Sequence, residues 1–276
     1  MNCNRIFWNK IIKLDQIDLA TARHNINHED WTAVIPAAGI GSRLGFNHPK
    51  VLFPILGKTI LEHLLETVGS VCCRVVLVLS PAGAPLVQEK INQLNVQNVS
   101  VVLQREPVGM ADAILQAEEK VETKNTLVVW GDQVTLKKDT LQACAYCHDS
   151  RSNSMLTLPT ILLRDPYIHF ERDEKQRLTR VFQAREENIP NKIGENDCGL
   201  FFFETKELFR LLKSASKRDN CGKKTGEFNL LPLLPDFDQL PGNVVTIRIE
   251  DESEALGINT REDAEKAEHI LLNRKE

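Results

Sequence analysis

From residue 32 to residue 158 the chain alternates short apolar runs with amphipathic stretches, and this rhythm restricts the fold more than any other feature. Residues 32–36, 74–79, 99–103 and 126–130 are apolar runs of strand length, and 155–158 reads as extended. Residues 59–68, 85–94, 110–121 and 140–150 carry helical spacing. Thr59 with Glu62 three positions on spells a capping box, and Gly69 supplies the stop. Strands joined through helices pair in parallel, and the crossover helices cover both faces of the sheet. The predicted class is α/β and Rossmann-like: a mainly parallel, mixed sheet flanked by helices, with a smaller second lobe.

The rhythm changes after residue 160. Residues 168–171, 178–183 and 200–203 read as strands with antiparallel character, 206–214 as a helix and 246–249 as a strand. Residues 260–272 form a charged helix, with Thr260 as N-cap and Asp263 three positions on. No long linker separates the halves. The expected organisation is an N-terminal helical extension over 1–30 and one body over 31–276, divided near residue 160. Ile11, Ile12, Leu14, Ile17 and Leu19 give the extension an amphipathic face for packing on the body or a partner.

Composition narrows the function. Lys+Arg total 34 against 38 Asp+Glu, a net charge of −4, which argues against a protein that coats nucleic acid. A small phosphorylated ligand needs only a local positive pocket. No apolar stretch approaches the roughly 18 residues of a membrane span, and no apolar signal-peptide core follows Met1. The seven cysteines are odd in number and two are adjacent, unlike a disulfide framework, so a reducing cytoplasm is expected. Cys144-Ala145-Tyr146-Cys147-His148 spells C-x-x-C-H, but within a predicted helix and without a second ligand pair for zinc.

The main chemical motif follows the first strand: Pro36-Ala37-Ala38-Gly39-Ile40-Gly41-Ser42-Arg43-Leu44-Gly45, then Pro49-Lys50. Small residues let backbone N–H groups approach phosphate oxygens, and Arg43 and Lys50 add a forked donor and a point charge. A dinucleotide fingerprint fails because Leu44 stands at its third glycine. A P-loop ending in Gly57-Lys58-Thr59 fails because Leu52 stands at its first glycine.

In order along the chain, this loop and four later segments resemble the nucleoside-diphospho-sugar pyrophosphorylases. The later segments are Gln104-Arg105-Glu106-Pro107-Val108-Gly109, Trp130-Gly131-Asp132, Gly226-Glu227-Phe228 and Glu254-Ala255-Leu256-Gly257-Ile258-Asn259-Thr260. Within that family the pattern most resembles the uridylyltransferase domain of the bifunctional N-acetylglucosamine-1-phosphate uridylyltransferases. The likeness covers about residues 32 to 272 and implies a nucleotide-binding half, 31–159, and a sugar-binding and closing half, 160–276. It does not imply the acetyltransferase activity of the bifunctional enzymes.

The resemblance implies transfer of a nucleotidyl group from a nucleoside triphosphate, UTP first, to a sugar 1-phosphate, with release of pyrophosphate and dependence on Mg²⁺. It places Arg43 and Lys50 in the catalytic role. Ala37, Ala38, Gly39, Gly41, Ser42, Gln104 and Gly109 would bind the nucleotide. Gln104 carries a donor and an acceptor on one amide, matching the N3–H and O4 edge of uracil or thymine. Asp132 and Asn259 would hold the metal, as a carboxylate and an amide oxygen suited to a hard cation. Met110, Trp130, Gln183, Asp197 and Glu227 would line the sugar pocket. Four of these depart from the family pattern: Met110 stands for Thr, Trp130 for Tyr, Gln183 for Glu and Asp197 for Asn. They point to an acceptor other than N-acetylglucosamine 1-phosphate. Alternatives that keep the fold use dTTP with a hexose phosphate, or CTP with an alcohol phosphate. A non-catalytic nucleotide-sugar sensor would be expected to lack Arg43, Lys50 or Asp132, and all three are present.

Overall fold

The computed structural model describes residues 9–151, 153–217, 221–240 and 242–274. The strands in chain order are β1 (Asn9–Lys13), β2 (Trp31–Pro36), β3 (Pro54–Ile55), β4 (Lys58–Thr59), β5 (Arg74–Leu79), β6 (Val99–Leu103) and β7 (Asn125–Val129). There follow β8 (Ser154–Arg164), β9 (Ile168–Arg172), β10 (Leu178–Gln183), β11 (Ile193–Asp197), β12 (Leu200–Glu204) and β13 (Asn243–Arg248). The helices are α1 (Leu19–Asn25), α2 (Ile60–Val68), α3 (Ala84–Leu94), α4 (Met110–Gln116), α5 (Lys138–Asp149), α6 (Thr205–Ser216), α7 (Leu234–Phe237) and α8 (Arg261–Asn273).

The main sheet runs β1-β13-β8-β12-β7-β2-β5-β6 and is open, with β11 added to the outer half of β8. β7, β2, β5 and β6 are mutually parallel, whereas β12 runs antiparallel to both β7 and β8. The sheet is therefore mixed and mostly parallel. Side chains alternate between faces along each strand. Ala33, Ile35, Leu127 and Val129 enter one core with Leu64 of α2, Ile91 of α3 and Leu141 of α5. Val34, Val76, Val78 and Val128 enter the other with Ile114 of α4 and Leu212 of α6. Two buried faces explain why these strands read as continuous apolar runs rather than alternating ones.

The capping box at Thr59 and Glu62 is formed, with Thr59 N–H donating to Glu62 at 2.8 Å. Gly57-Lys58-Thr59 belongs to a tight hairpin: Leu56 and Gly57 take φ of 49° and 79°, and β3 pairs with β4 around them. Positive φ at both central positions is the geometry of a two-residue hairpin turn.

Some sequence expectations are corrected. The N-terminal extension is not wholly helical: Asn9–Lys13 is a strand parallel to β13, and Leu19–Asn25 is a helix. Asp18 caps that helix, and Arg23 fastens it to Asp139 of α5 at 2.6 Å. Residues 1–8 of the extension lie outside the described residues. The single helix expected over 110–121 ends at Gln116 and continues as a 3₁₀ turn, Glu118–Lys120. The strand expected over 155–158 runs on to Arg164, because its outer half pairs with β11. The C-x-x-C-H run lies in α5, where Cys144, Cys147 and His148 are buried and His148 packs edge-on to Trp31. Among the described residues, no helix is long and apolar enough to cross a membrane.

Candidate active site

In the strand order β7-β2-β5, the chain leaves β2 for one side and returns to its other side at β7. The loops after those two strands diverge there, and such a point in an open parallel sheet opens a crevice for a ligand. Gly131 allows the loops to meet: a Cβ there would stand 2.7 Å from the Pro36 carbonyl oxygen. The crevice opens into a cavity of about 760 Å³, within the range of small-molecule sites.

One wall is the loop after β2. It folds back on itself through Gly41 N–H to His48 O at 3.1 Å, Phe46 N–H to Gly41 O at 3.0 Å and Lys50 N–H to Gly39 O at 3.0 Å. Gly41 is required by that fold, since a Cβ would meet the Phe46 carbonyl oxygen at 2.9 Å. Ala38, Gly39, Arg43 and Lys50 line the cavity, and the space beside Gly39 is open. Three residues expected to bind nucleotide do not line it. Ala37 N–H donates to Val78 O at 2.8 Å, prolonging the β2–β5 ladder, and Gly41 N–H is the loop's own closure. Ser42 sits exposed at the start of a 3₁₀ turn, Ser42–Leu44.

Two expected residues of this loop, Arg43 and Lys50, meet two from opposite it, Asp132 and Asn259. Lys50 Nζ donates to Asp132 Oδ2 at 2.6 Å and to Asn259 Oδ1 at 3.3 Å, and Arg43 donates to the same Asn259 oxygen at 3.0 Å. Lys50 and Asp132 are each 19% exposed. The loop that carries Asn259 is anchored twice. Ile258 N–H donates to the Asp132 carbonyl at 3.0 Å. The buried Glu254 carboxylate accepts Lys137 N–H at 2.9 Å and Thr140 Oγ1 at 3.0 Å at the start of α5. Asp263 completes the capping box of α8 and also accepts Asn259 N–H at 3.0 Å. Asn259 Nδ2 faces Gly257 O at 3.4 Å, which turns its Oδ1 towards the cations. Asp132 and Asn259 thus present two oxygens to a single positive group.

At the end of β6, Gln104 is buried, with Nε2 donating to Gly109 O and to Asp112 Oδ2, each at 2.9 Å. Gly109 has φ of 128°, and a Cβ would lie 2.3 Å from the Phe228 carbonyl oxygen. Its glycine identity is required by close packing against residues 226–229, and Gly109 also lines the cavity. Phe228 N–H to Val108 O at 2.7 Å and Ala111 N–H to Phe228 O at 2.9 Å complete that contact.

Met110, Trp130, Gln183, Asp197 and Glu227, which the resemblance assigned to sugar binding, also line the cavity. Trp130 packs on Phe201 with ring centroids 5.1 Å apart. Asp197 is buried and accepts Gly199 N–H at 2.8 Å. Burial outweighs that bond and pushes its carboxyl up to about 6. Sequence reasoning missed Arg185, Asn229 and Tyr167 in the same lining. Arg185 pairs with Glu227 at 2.9 Å and donates to Asn229 Oδ1 at 2.6 Å. No spacing signal marks Arg185, because its partners lie in a distant segment.

The chain is similar to known proteins over most of its length. Residues 33–187 match the model of the MobA-like NTP transferase domain. Curated relatives include the bifunctional protein GlmU of Streptococcus uberis, 29% identical over 247 residues, and that of Listeria welshimeri, 30% identical over 251. Each alignment covers 88% of this chain and 52% of the relative, so the chain spans about half the length of the curated relatives it matches.

Proposed function

The chain belongs to the family of MobA-like NTP transferase domains, and we propose that it joins a sugar 1-phosphate to UTP with release of pyrophosphate. The observation that carries this reading is the convergence of Arg43, Lys50, Asp132 and Asn259 at the crevice between β2 and β7. An acceptor phosphate oxygen attacks the α-phosphorus, a new P–O bond forms, and the bond to the bridging oxygen of the β-phosphate breaks. The substrate supplies the nucleophile, so the protein's work is positioning and charge neutralisation. Arg43 and Lys50 bring two positive charges to the phosphate loop, where Arg43 would offset charge on the departing pyrophosphate and Lys50 would bridge the α-phosphate and the sugar phosphate. Asp132 and Asn259 are the residues that would hold Mg²⁺, which when bound neutralises phosphate charge as a Lewis acid. Their two oxygens already flank one cation, the Lys50 ammonium, which supports that fit.

One observation supports a second acceptor class. The buried Asp197 carboxylate at the acceptor end would suit a donor-rich sugar hydroxyl or a cationic group such as a phosphorylated amino alcohol. Pyrophosphorolysis tests both. Purified protein, Mg²⁺ and pyrophosphate are incubated with UDP-, dTDP- and CDP-linked compounds, and the triphosphate formed is identified. UTP from a UDP-sugar, lost in Asp132→Ala, is the expected result. CTP from a CDP-alcohol would replace it with the second reading, and silence across the panel would sink both.

A further inference from the structure

Gln104 has one amide, and its orientation decides which nucleobase it recognises. Nε2 lies 2.9 Å from Gly109 O and 2.9 Å from Asp112 Oδ2. A carbonyl and a carboxylate oxygen both accept and neither donates. Reversing the amide would press its oxygen against two lone-pair groups in a buried position, where an unmatched polar contact is strongly unfavourable. Both N–H bonds of Gln104 are therefore engaged by the protein, and Oε1 is the only polar atom its side chain can offer a ligand. Asp112 is itself held, since Gln116 Nε2 donates to its Oδ1 at 3.1 Å.

We infer that Asp112 is a positioning residue that fixes Gln104 as an acceptor only, so that the site selects a pyrimidine with a ring N–H. Uracil and thymine carry N3–H and satisfy Oε1. Cytosine presents an N3 lone pair at the same place and opposes it. This narrows the match drawn from sequence, in which Gln104 donates and accepts at once: the base O4 must be read by another group. The inference rests on the nucleotidyltransferase reading above.

Binding of UTP, dTTP and CTP to the full chain is measured by calorimetry for wild type, Asp112→Ala, Asp112→Asn and Arg43→Ala, with thermal melts confirming that each variant is folded. Wild type is expected to favour UTP and dTTP over CTP by about tenfold or more. Asp112→Ala removes one of the two acceptors that hold the amide and leaves only Gly109 O to oppose its reversal, so the UTP-to-CTP ratio falls. Asp112→Asn retains an acceptor and keeps most of the preference. Arg43→Ala weakens all three alike and leaves the ratio intact. An unchanged ratio in folded Asp112→Ala that still binds triphosphate, or wild-type preference for CTP, would overturn the role of Asp112. Failure of wild type to bind any triphosphate would instead overturn the functional reading and the inference with it.

Discussion

The Lys50 ammonium lies 2.6 Å from Asp132 Oδ2, and through Asn259 Oδ1 at 3.3 Å it joins side chains from three loops far apart in sequence. One cation thus reads whether the phosphate loop, the end of β7 and the late loop are all in place. Replacing it tests the centre of the proposed mechanism. Lys50→Met is expected to lower the pyrophosphorolysis rate about 10²–10³-fold, the usual effect of removing one preorganised charge donor. Far-UV circular dichroism should stay unchanged. A variant keeping more than about a tenth of the rate would remove Lys50 from the mechanism.

Asp197 gives a pH test of the acceptor wall. Its carboxyl titrates near 6 in the fold against 3.8 in the unfolded chain, so the folded protein holds the proton more tightly. Stability from this group is complete below about pH 4 and is lost as pH rises through 6. Asp197→Asn should therefore gain up to about 3 kcal/mol over wild type at neutral pH and almost nothing at acid pH. Urea denaturation at both pH values measures the difference. An equal offset at the two would show that Asp197 is not buried as a strained carboxyl.

Glu195 is expected to behave in the opposite sense. Burial alone would raise its carboxyl, but Arg172 binds it through two bonds of 2.8 Å and Arg248 approaches to 3.2 Å, which together hold it low. Its contribution is present above the ordinary carboxylate range and is lost as pH falls through its depressed value. Glu195→Ala leaves the buried Arg172 guanidinium and the half-buried Arg248 guanidinium short of a partner and should cost about 3 kcal/mol, read as a lower urea midpoint. A loss below about 1 kcal/mol would mean that the arginines find solvent.

Gly109→Ala introduces a side chain where Phe228 backbone already sits, at a φ of 128°. It should cost about 3 kcal/mol or more, and weaken nucleotide binding by displacing Gln104. Thermal melts and UTP binding read the two effects separately. Wild-type behaviour in both would show that residues 226–229 do not dock on the nucleobase loop in solution.

What was legible in the sequence was mostly local. The runs at 74–79 and 99–103 match β5 and β6, and both capping boxes formed as spelled. Their signals lie within a few residues, so neighbours cannot hide them. β1 was missed because five residues from Asn9 become a strand only by pairing with β13. In Asn9–Lys13 the only apolar residues, Ile11 and Ile12, are adjacent and mark neither spacing, so partner choice decided the conformation. The same holds at the site. Arg43, Lys50 and Asp132 stand in short recognisable segments, whereas Arg185 acquires meaning only beside Glu227. Nor does the sequence say that the Ala37 N–H continues the ladder to Val78, a bond that depends on which strand lies beside β2.

The pairing of β1 with β13 also sets an order of events on the ribosome. A nascent chain makes β1 long before its partner, since most of the described strands and helices lie between them. The parallel block of β2, β5, β6 and β7 can pair within itself once Val129 is made, although α5 and α6, which cover its faces, come later. β13 and then Asn259 follow that block, so the sheet edge and the cluster around Lys50 are completed after it. A chain stalled before β13 would hold a formed central sheet and a crevice still lacking one of its sides.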